Sequence, residues 1–393
     1  MTHTDFIIAG AGLSGLSLAL RLINSPLRER SILIVDRDDK RRDDRTWSYW
    51  SDRPTLFDNL TCRTWDRLYL AGLNGEMRVN LRHYRYRTIR GCDFYEHARR
   101  ELARRPNVTW RHGKVGAITD GAEAARVTID REEVTGRWVF DSIPRQAGAV
   151  ADGRYHYLKL HFKGWEVETD RPAFDPAAVT FLDFRTPHAE HLRGAMRFFY
   201  VLPFDERHAL VEYTLFSTMP LLPREYEQAM QTYVREVLKI DDYHLARQEG
   251  GVIPITDRPY PRRLGGRVMA IGTKGGRLKP TTGFAFMRVQ SDSAAIVQSL
   301  LRHAHPFDVP EDSSRYRLYD SMLLDIMERE PERIQSIFAA MFRRNSIEHV
   351  LSFLDEQAPL AQNIHMFANL PPAPFLQALA RVGLSRERVV EAA

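Results

Sequence analysis

The sequence predicts an α/β fold in three parts: a Rossmann-type dinucleotide-binding domain, a separate antiparallel β-sheet and a C-terminal helical region. A strand, a glycine-rich turn, a helix and a second strand follow one another within the first 36 residues. Strands rich in aromatic and β-branched residues begin near Tyr157, and apolar residues at helical spacing continue beyond Pro306. A chain of 393 residues also exceeds the usual size of one hydrophobic core, so two or three packed units are expected.

The glycine-rich turn is a GxGxxG fingerprint made by Gly10, Gly12 and Gly15. Gly10 permits a tight turn, Gly12 lets the backbone approach a pyrophosphate, and Gly15 allows close packing of helix on strand. The helix N-terminus offers free N–H groups to the phosphates, and Asp36 follows where the fingerprint requires an acid for the adenosine ribose. The flanking elements are strand Phe6–Ala9, helix Leu13–Leu22 and strand Ser31–Val35.

The later elements follow from periodicity. A helix over Phe94–Arg104 and strands at Val108–Arg111, Arg126–Asp130 and Arg137–Asp141 are expected to complete the nucleotide domain. The separate sheet is predicted from Tyr157–Phe162, Val179–Phe184, Phe198–Leu202 and Ala209–Phe216, followed by helix Arg224–Leu238 and strand Arg267–Ile271. The expected nucleotide domain comprises 1–60, 90–150 and 250–300, the substrate domain 61–89 and 151–249, and the helical region 301–393.

The C-terminal region has two amphipathic faces that allow two interpretations. The faces consist of Tyr319, Leu323 and Ile326, and then of Ile334, Ile337, Phe338, Met341 and Phe342. Such apolar faces usually pack into a core. Because Arg329, Arg333, Arg343 and Arg344 border them, contact with a membrane surface is the alternative.

Composition narrows the class of protein. The net charge is +5, and the run from Arg37 to Arg45 has nearly balanced signs, so it predicts a solvated loop and no nucleic-acid partner. No stretch of eighteen uncharged apolar residues occurs, and we expect neither a signal peptide nor a spanning helix. Cys62 and Cys92 have no metal-ligand neighbours, which predicts reduced cysteines, no metal site and an intracellular protein.

Further segments resemble the bacterial lycopene cyclase family over essentially the whole chain. These segments are Asp44–Trp50, Ala209–Ser217, Ile271–Phe284, Phe353–Glu356 and Leu370–Pro372. The resemblance implies a glutathione-reductase-like flavoprotein: a Rossmann-type FAD-binding domain with an inserted antiparallel substrate sheet. It implies FAD in its reduced form as the cofactor, with NAD(P)H as the reductant.

The resemblance also implies further cofactor-binding residues: Arg45, Asp141, Gly272, Pro280, Gly283 and Phe284. Asp141 matches an acid that follows a late strand and closes the cofactor site. Pro280 and Gly283 match a Pro-x-x-Gly turn before the helix at which the flavin ring lies. One position departs from the pattern, because many flavoproteins of this group have Asp where this chain has Thr273, so the ribityl chain must be bound by another group.

Glu212 is the candidate catalytic residue. It lies in a strand that is apolar on both faces, so its carboxyl group must be hydrogen-bonded, paired or kept protonated. Burial raises the pKa of a carboxyl group and makes it a competent general acid near neutral pH. The alternative is a glutamate on an edge strand that points to solvent, but the family places its acid in this Glu-x-Thr strand. Trp47, Tyr49 and Trp50 are candidates for cation–π stabilisation or, alternatively, core residues.

The resemblance implies a redox-neutral cyclisation that forms β-ionone rings at the ends of lycopene or a related linear carotenoid. A redox-active flavoenzyme of the same fold, either an isoprenoid reductase or a monooxygenase, is the nearest alternative, and a polyene-binding carrier is a second. Because such substrates live in bilayers, we expect a cytoplasmic protein attached peripherally to lipid at the inner face of the membrane.

Overall fold

The computed structural model describes residues 3–72, 75–144, 154–186 and 195–390. The strands are β1 (His3–Ala9), β2 (Ile32–Asp36), β3 (Thr46–Ser51), β4 (Arg63–Trp65), β5 (Arg67–Ala71), β6 (Met77–Asn80), β7 (Arg85–Arg90), β8 (Val108–His112), β9 (Val115–Thr119), β10 (Ala125–Ile129), β11 (Glu132–Asp141), β12 (Tyr157–Glu168), β13 (Val179–Asp183), β14 (Met196–Pro203), β15 (His208–Ser217), β16 (His244–Thr256) and β17 (Val268–Ala270). The helices are α1 (Leu13–Ile23), α2 (Gly91–Ala103), α3 (Pro223–Thr232), α4 (Phe286–His303), α5 (Ser314–Arg329), α6 (Ile334–Arg344), α7 (Ile347–Leu354), α8 (Leu360–Ala368) and α9 (Pro372–Val390).

The nucleotide sheet has the order β8-β2-β1-β11-β10-β9, with β17 beside the end of β11. Strands β8, β2, β1, β11 and β17 pair in parallel, whereas β10 and β9 are antiparallel. The runs Phe6–Ala9 of β1 and Ile32–Val35 of β2 are apolar and buried because this part of the sheet is covered on both faces. The predicted strand–turn–helix–strand unit at the start of the chain is therefore present.

The substrate sheet has the order β16-β12-β15-β14-β13-β5-β6. Its pairs are antiparallel except β13 with β5, which is parallel. The predicted strands are all present, and the predicted helix over 224–238 is α3 followed by a π-helical turn, Tyr233–Val237.

Strand β16 was not among the predicted elements. It pairs with β12 along its whole length, and Gly250, Gly251 and Pro254 hide the usual strand signal. The expected domain boundary between residues 249 and 250 falls inside this strand, so that boundary must be moved beyond Thr256.

A small third sheet, β3-β7-β4, lies between two hydrophobic cores. Side chains alternate along β3, so Tyr49 packs in the core of the nucleotide domain and Trp50 in the core of the substrate sheet. The tryptophan-rich segment thus joins the two parts of the protein.

The C-terminal helices pack against the substrate sheet. The face made by Ile334, Ile337 and Phe342 is buried in one core with Phe181 and Phe198. The interpretation of these helical faces as a membrane surface is therefore wrong, because the sheet covers them. Among the described residues, no helix has the length and apolar character needed to cross a bilayer.

Candidate active site

A cavity of about 500 Å³ lies where the nucleotide sheet meets the substrate sheet. Its nucleotide side is lined by Gly12, Ser14, Arg45, Trp47, Ser142, Gly272, Thr273, Gly283 and Phe284. Its substrate side is lined by Tyr86, Leu160, Phe162, Tyr200, Leu202, Leu210, Glu212, Thr214 and Glu249. The fold thus brings the glycine fingerprint and the candidate acid to one space, although they are 200 residues apart in sequence.

The glycine-rich turn fits a pyrophosphate. Gly10 has φ +100°, and a Cβ there would lie 2.2 Å from Ser142 Oγ. A Cβ on Gly15 would lie 2.0 Å from the Gly10 carbonyl oxygen. At Gly12, by contrast, a Cβ would meet no atom of the described residues within 4 Å, and none of their side chains caps the N-terminus of α1 that follows. Open space before uncapped helix N–H groups suits a diphosphate such as that of FAD.

Two predicted cofactor acids lie beside this cavity but do not line it. The Asp36 carboxylate accepts a hydrogen bond of 2.7 Å from the Ala11 amide, which places it against the glycine-rich turn at the end of β2. Asp141 is buried at the end of β11 and forms an ion pair with Lys274. Its part in cofactor binding stays a prediction. Its carbonyl accepts a hydrogen bond of 3.0 Å from the Ile271 amide, which orients the turn that begins at Gly272.

The predicted flavin loop, Lys279–Phe284, is closed on itself and anchored from behind. The Lys279 carbonyl accepts a hydrogen bond of 2.8 Å from the Gly283 amide, and the buried Lys279 ammonium pairs at 2.7 Å with both Asp320 and Glu356. Gly283 has φ +75°, and a Cβ there would lie 2.3 Å from Leu160 Cδ1 on β12. The loop therefore requires glycine where it touches the substrate sheet, three residues before α4 begins.

The predicted flavin-binding residues of this loop differ in whether they line the cavity. Phe284 and Gly283 line the cavity, as does Thr273, the residue that stands where related flavoproteins have Asp. Pro280 lies in the turn itself and is not among the cavity-lining residues.

The structure separates the three aromatic residues proposed for cation stabilisation. Trp47 lines the large cavity, where it also contacts Phe94 edge-on. Tyr49 stacks on Phe286 with ring centroids 4.2 Å apart, and Trp50 contacts Phe284 edge-on with centroids 4.6 Å apart. Tyr49 and Trp50 line a different, smaller cavity, so among the three only Trp47 shares a cavity with Glu212.

Glu212 lies on β15, which is flanked by β12 and β14, so the edge-strand alternative is wrong. Its side chain lines the cavity, and the residue is half-buried. The Thr214 hydroxyl donates a hydrogen bond of 2.9 Å to its carboxyl group. Burial, reinforced by the negative charge of Glu249, raises the pKa of Glu212 to about 8, although Thr214 acts in the opposite direction.

Glu249 is the main residue that sequence reasoning missed. It is buried on β16 and accepts hydrogen bonds of 2.7 Å from Arg247 and 2.9 Å from the Thr46 hydroxyl. Arg247 also donates to Glu166, which pairs in turn with Arg90. A glutamate preceding two glycines was the only available signal, and it had no value until β16 was recognised as a strand.

Tyr86 and Tyr200 were also missed, and both contribute to the wall around Glu212. Tyr200 lies directly opposite Glu212 in the strand register. Burial raises the pKa of both phenols, so they stay neutral. A protonated carboxyl group in such surroundings can give its proton to an apolar substrate. The aromatic side chains around it can stabilise a resulting cation.

Comparisons with known proteins identify similar sequences and a family model that matches most of the chain. A family model described as Lycopene cyclase protein matches residues 5–380. The chloroplastic lycopene beta cyclase of Arabidopsis thaliana is 24% identical over an alignment of 332 residues that covers 76% of this chain and 60% of that relative. A lycopene beta-cyclase from a Paracoccus species is 30% identical over an alignment of 227 residues that covers 55% of this chain and 52% of the relative. The chain thus spans between half and two thirds of the length of these relatives.

A solved structure shows the same fold. A flavoprotein/dehydrogenase from Cytophaga hutchinsonii superposes with a TM-score of 0.60 at 15% identity, covering 90% of this chain and 92% of that one. The predicted fold, a Rossmann-type flavoprotein domain with a substrate sheet and C-terminal helices, is confirmed.

Replacement of Gly12 by Val tests the cofactor cradle. Because the space beside Gly12 is free of protein atoms, we expect Gly12→Val to fold normally but to purify without flavin absorbance. Gly116→Val is the matched control, since a Cβ there makes only ordinary contacts at 3.5 Å with Thr128. Retention of a full complement of FAD by Gly12→Val would contradict this assignment.

Proposed function

Because the chain belongs to the lycopene cyclase family, we propose that it is a redox-neutral lycopene β-cyclase that forms β-ionone rings at the ends of lycopene or a related linear carotenoid. The observation that carries the proposal is the position of Glu212. Its carboxyl group, whose pKa is raised by burial to about 8, lines the cavity beside the glycine-rich turn proposed to bind FAD. The substrate class follows from the family match.

The chemistry begins with a proton transfer. The O–H bond of Glu212 breaks as a C–H bond forms at the terminal double bond of the polyene. An internal alkene attacks the resulting carbocation and closes the ring. A neighbouring C–H bond then breaks, and its proton returns to the Glu212 carboxylate, so no electrons are gained or lost overall.

The wall of the cavity serves the cationic stage. Phe162, Tyr86 and Tyr200 line the space around Glu212, and Leu160 and Leu210 add aliphatic surface to it. Aromatic faces attract a cation more strongly where water is absent. A cation held in such a wall loses a proton to the nearby carboxylate before water can capture it.

FAD is proposed to bind along the nucleotide side, held by the residues around Gly12, Thr273 and Gly283. In its reduced form, generated with NAD(P)H, it would supply an anionic ring that stabilises positive charge electrostatically. The uncapped N-terminus of α4 behind Gly283 favours an anion at that position.

The decisive experiment is anaerobic incubation of the purified protein with reduced FAD and lycopene, followed by analysis of the pigment for rings. We expect cyclised product with catalytic, non-stoichiometric use of NAD(P)H. Consumption of one NAD(P)H per product would instead indicate an isoprenoid reductase or monooxygenase. Binding of the polyene without conversion would indicate a carrier protein.

The variant Glu212→Gln tests the acid directly. We expect normal FAD content and loss of cyclised product by at least about 100-fold, because the amide has no proton of suitable acidity to give. Glu227→Gln, which changes an exposed glutamate on α3, is the matched control. Normal turnover by Glu212→Gln would remove this residue from the mechanism.

Peripheral attachment to the inner face of the membrane completes the proposal, because a carotenoid must reach the cavity from a bilayer. Val252 lines the cavity yet is 54% exposed, and Met219 is 71% exposed. Val252 lies opposite His161 in the strand register. The Ser217 hydroxyl is hydrogen-bonded to the His161 ring and donates to the Met219 carbonyl, which places Met219 near Val252. We propose that this apolar rim touches lipid.

Vesicle flotation tests the rim. We expect the protein to float with anionic vesicles, partly released at high salt because its net charge is +5. Met219→Asp should weaken flotation several-fold, whereas Leu264→Asp, at a 40% exposed leucine whose backbone pairs with Val268 of the nucleotide sheet, should not. Equal flotation of both variants would exclude the rim, and absence of flotation would exclude membrane attachment.

A further inference from the structure

Two glutamates and a glycine form one row across the substrate sheet. Gly164 on β12 lies opposite Glu212 on β15 and also opposite Glu249 on β16. Directly opposed residues of antiparallel strands point to the same face. Since neighbouring strands are about 4.8 Å apart, the two glutamate backbones are about 10 Å apart, with the glycine between them.

The missing side chain of Gly164 is what lets the two carboxyl groups share a space. A Cβ on Gly164 would lie 2.9 Å from Glu249 Cγ and 3.7 Å from Glu212 Oε2. The φ angle of Gly164 is outside the left-handed region, so the backbone does not demand glycine there. Space is therefore the reason for glycine at this position.

The two carboxyl groups have unequal partners. Glu249 accepts from the Arg247 guanidinium and from Thr46, whereas the hydrogen bond that Glu212 receives comes from a neutral hydroxyl. Burial raises the pKa of Glu249 as well, but Arg247 and Thr46 act against that rise. Of the two, Glu249 therefore ionises first, and Glu212 keeps the proton.

Other titratable groups near the pair do not reverse this order. Tyr86 on β7 and Tyr200 on β14 face Glu212 and are neutral. Arg45 and Asp43 act on Glu249 from the segment before β3, with opposite signs. The negative charge nearest to Glu212 is thus that of Glu249.

We propose that Glu249 is a positioning residue for the reaction. Its carboxylate, held by Arg247 and Thr46 above Gly164, favours the protonated form of Glu212 before turnover and the reprotonation of Glu212 afterwards. The inference rests on the proposed role of Glu212 as acid and base. Donation of the proton leaves two carboxylates over one glycine, which favours recapture of a proton from the carbocation. The pair thereby resets the acid after each ring.

The test is a titration of Glu212 in the flavin-bound protein by pH-difference infrared spectroscopy. The protonated carboxyl band that disappears in Glu212→Gln belongs to this residue. In the natural protein its midpoint should lie near pH 8. In Glu249→Gln it should fall by about one pH unit or more, because the neighbouring negative charge is gone.

The pH profile of turnover supplies the second reading. We expect the basic limb of kcat to move down with the infrared midpoint in Glu249→Gln, while product still forms at low pH. Glu249→Asp restores the charge and should move the limb back. Glu227→Gln should leave the profile unchanged.

Several outcomes would overturn the proposal. An unshifted infrared midpoint in Glu249→Gln would do so, as would inactivity at every pH in a folded, flavin-bound variant. If Glu249→Gln does not fold, Gly164→Ala gives the decision, because the added Cβ displaces Glu249 and should lower the same midpoint, and an unchanged midpoint would refute the pairing.

The infrared titration also separates this inference from the proposed function. A natural protein that forms no rings but shows the expected midpoints would refute the cyclase activity and leave the carboxyl pair standing. Ring formation with an unshifted Glu249→Gln midpoint would do the reverse.

Discussion

The ion-pair chain from Arg90 through Glu166 and Arg247 to Glu249 allows the substrate sheet to bury negative charge beside an apolar cavity. Burial of an unpaired carboxylate destabilises a folded protein by several kcal/mol, so each carboxylate of this ion-pair series is paired with a guanidinium. Glu212 lies just beyond its end and has no cationic partner among its described contacts. The sheet thus contains a charged carboxylate and a neutral acid side by side, and the proposed chemistry depends on that difference.

The same cavity needs contributions from every part of the fold. The nucleotide domain supplies the open space at Gly12, and the substrate sheet supplies the wall around Glu212. The C-terminal helices hold the loop between them, since Asp320 and Glu356 pair with the buried Lys279. The proposed carbocation requires a site that excludes water, and a single domain would leave one side of the site in solvent.

Particular elements show where sequence reasoning succeeded and where it failed. The nucleotide unit around Gly12 was predictable because a short stretch of chain carries the turn, the helix and the acid. Strand β16 was missed because two glycines and a proline interrupt its pattern, and Glu249 was missed with it. The aromatic segment at Trp47 appeared uniform in sequence, but strand alternation sends Tyr49 and Trp50 into separate cores.

The sequence by itself determined the fingerprint at Gly10–Gly15, because its residues are close together along the chain. It also determined the fold class and the candidacy of Glu212, through periodicity and the resemblance to a known family. Only the tertiary structure decided that Glu249 and Glu212 share the space above Gly164, and that the helical face at Phe342 is buried under the sheet. The physical reason is that strand register and the packing of distant elements are fixed by many weak contacts together, none of which leaves a mark in a local pattern.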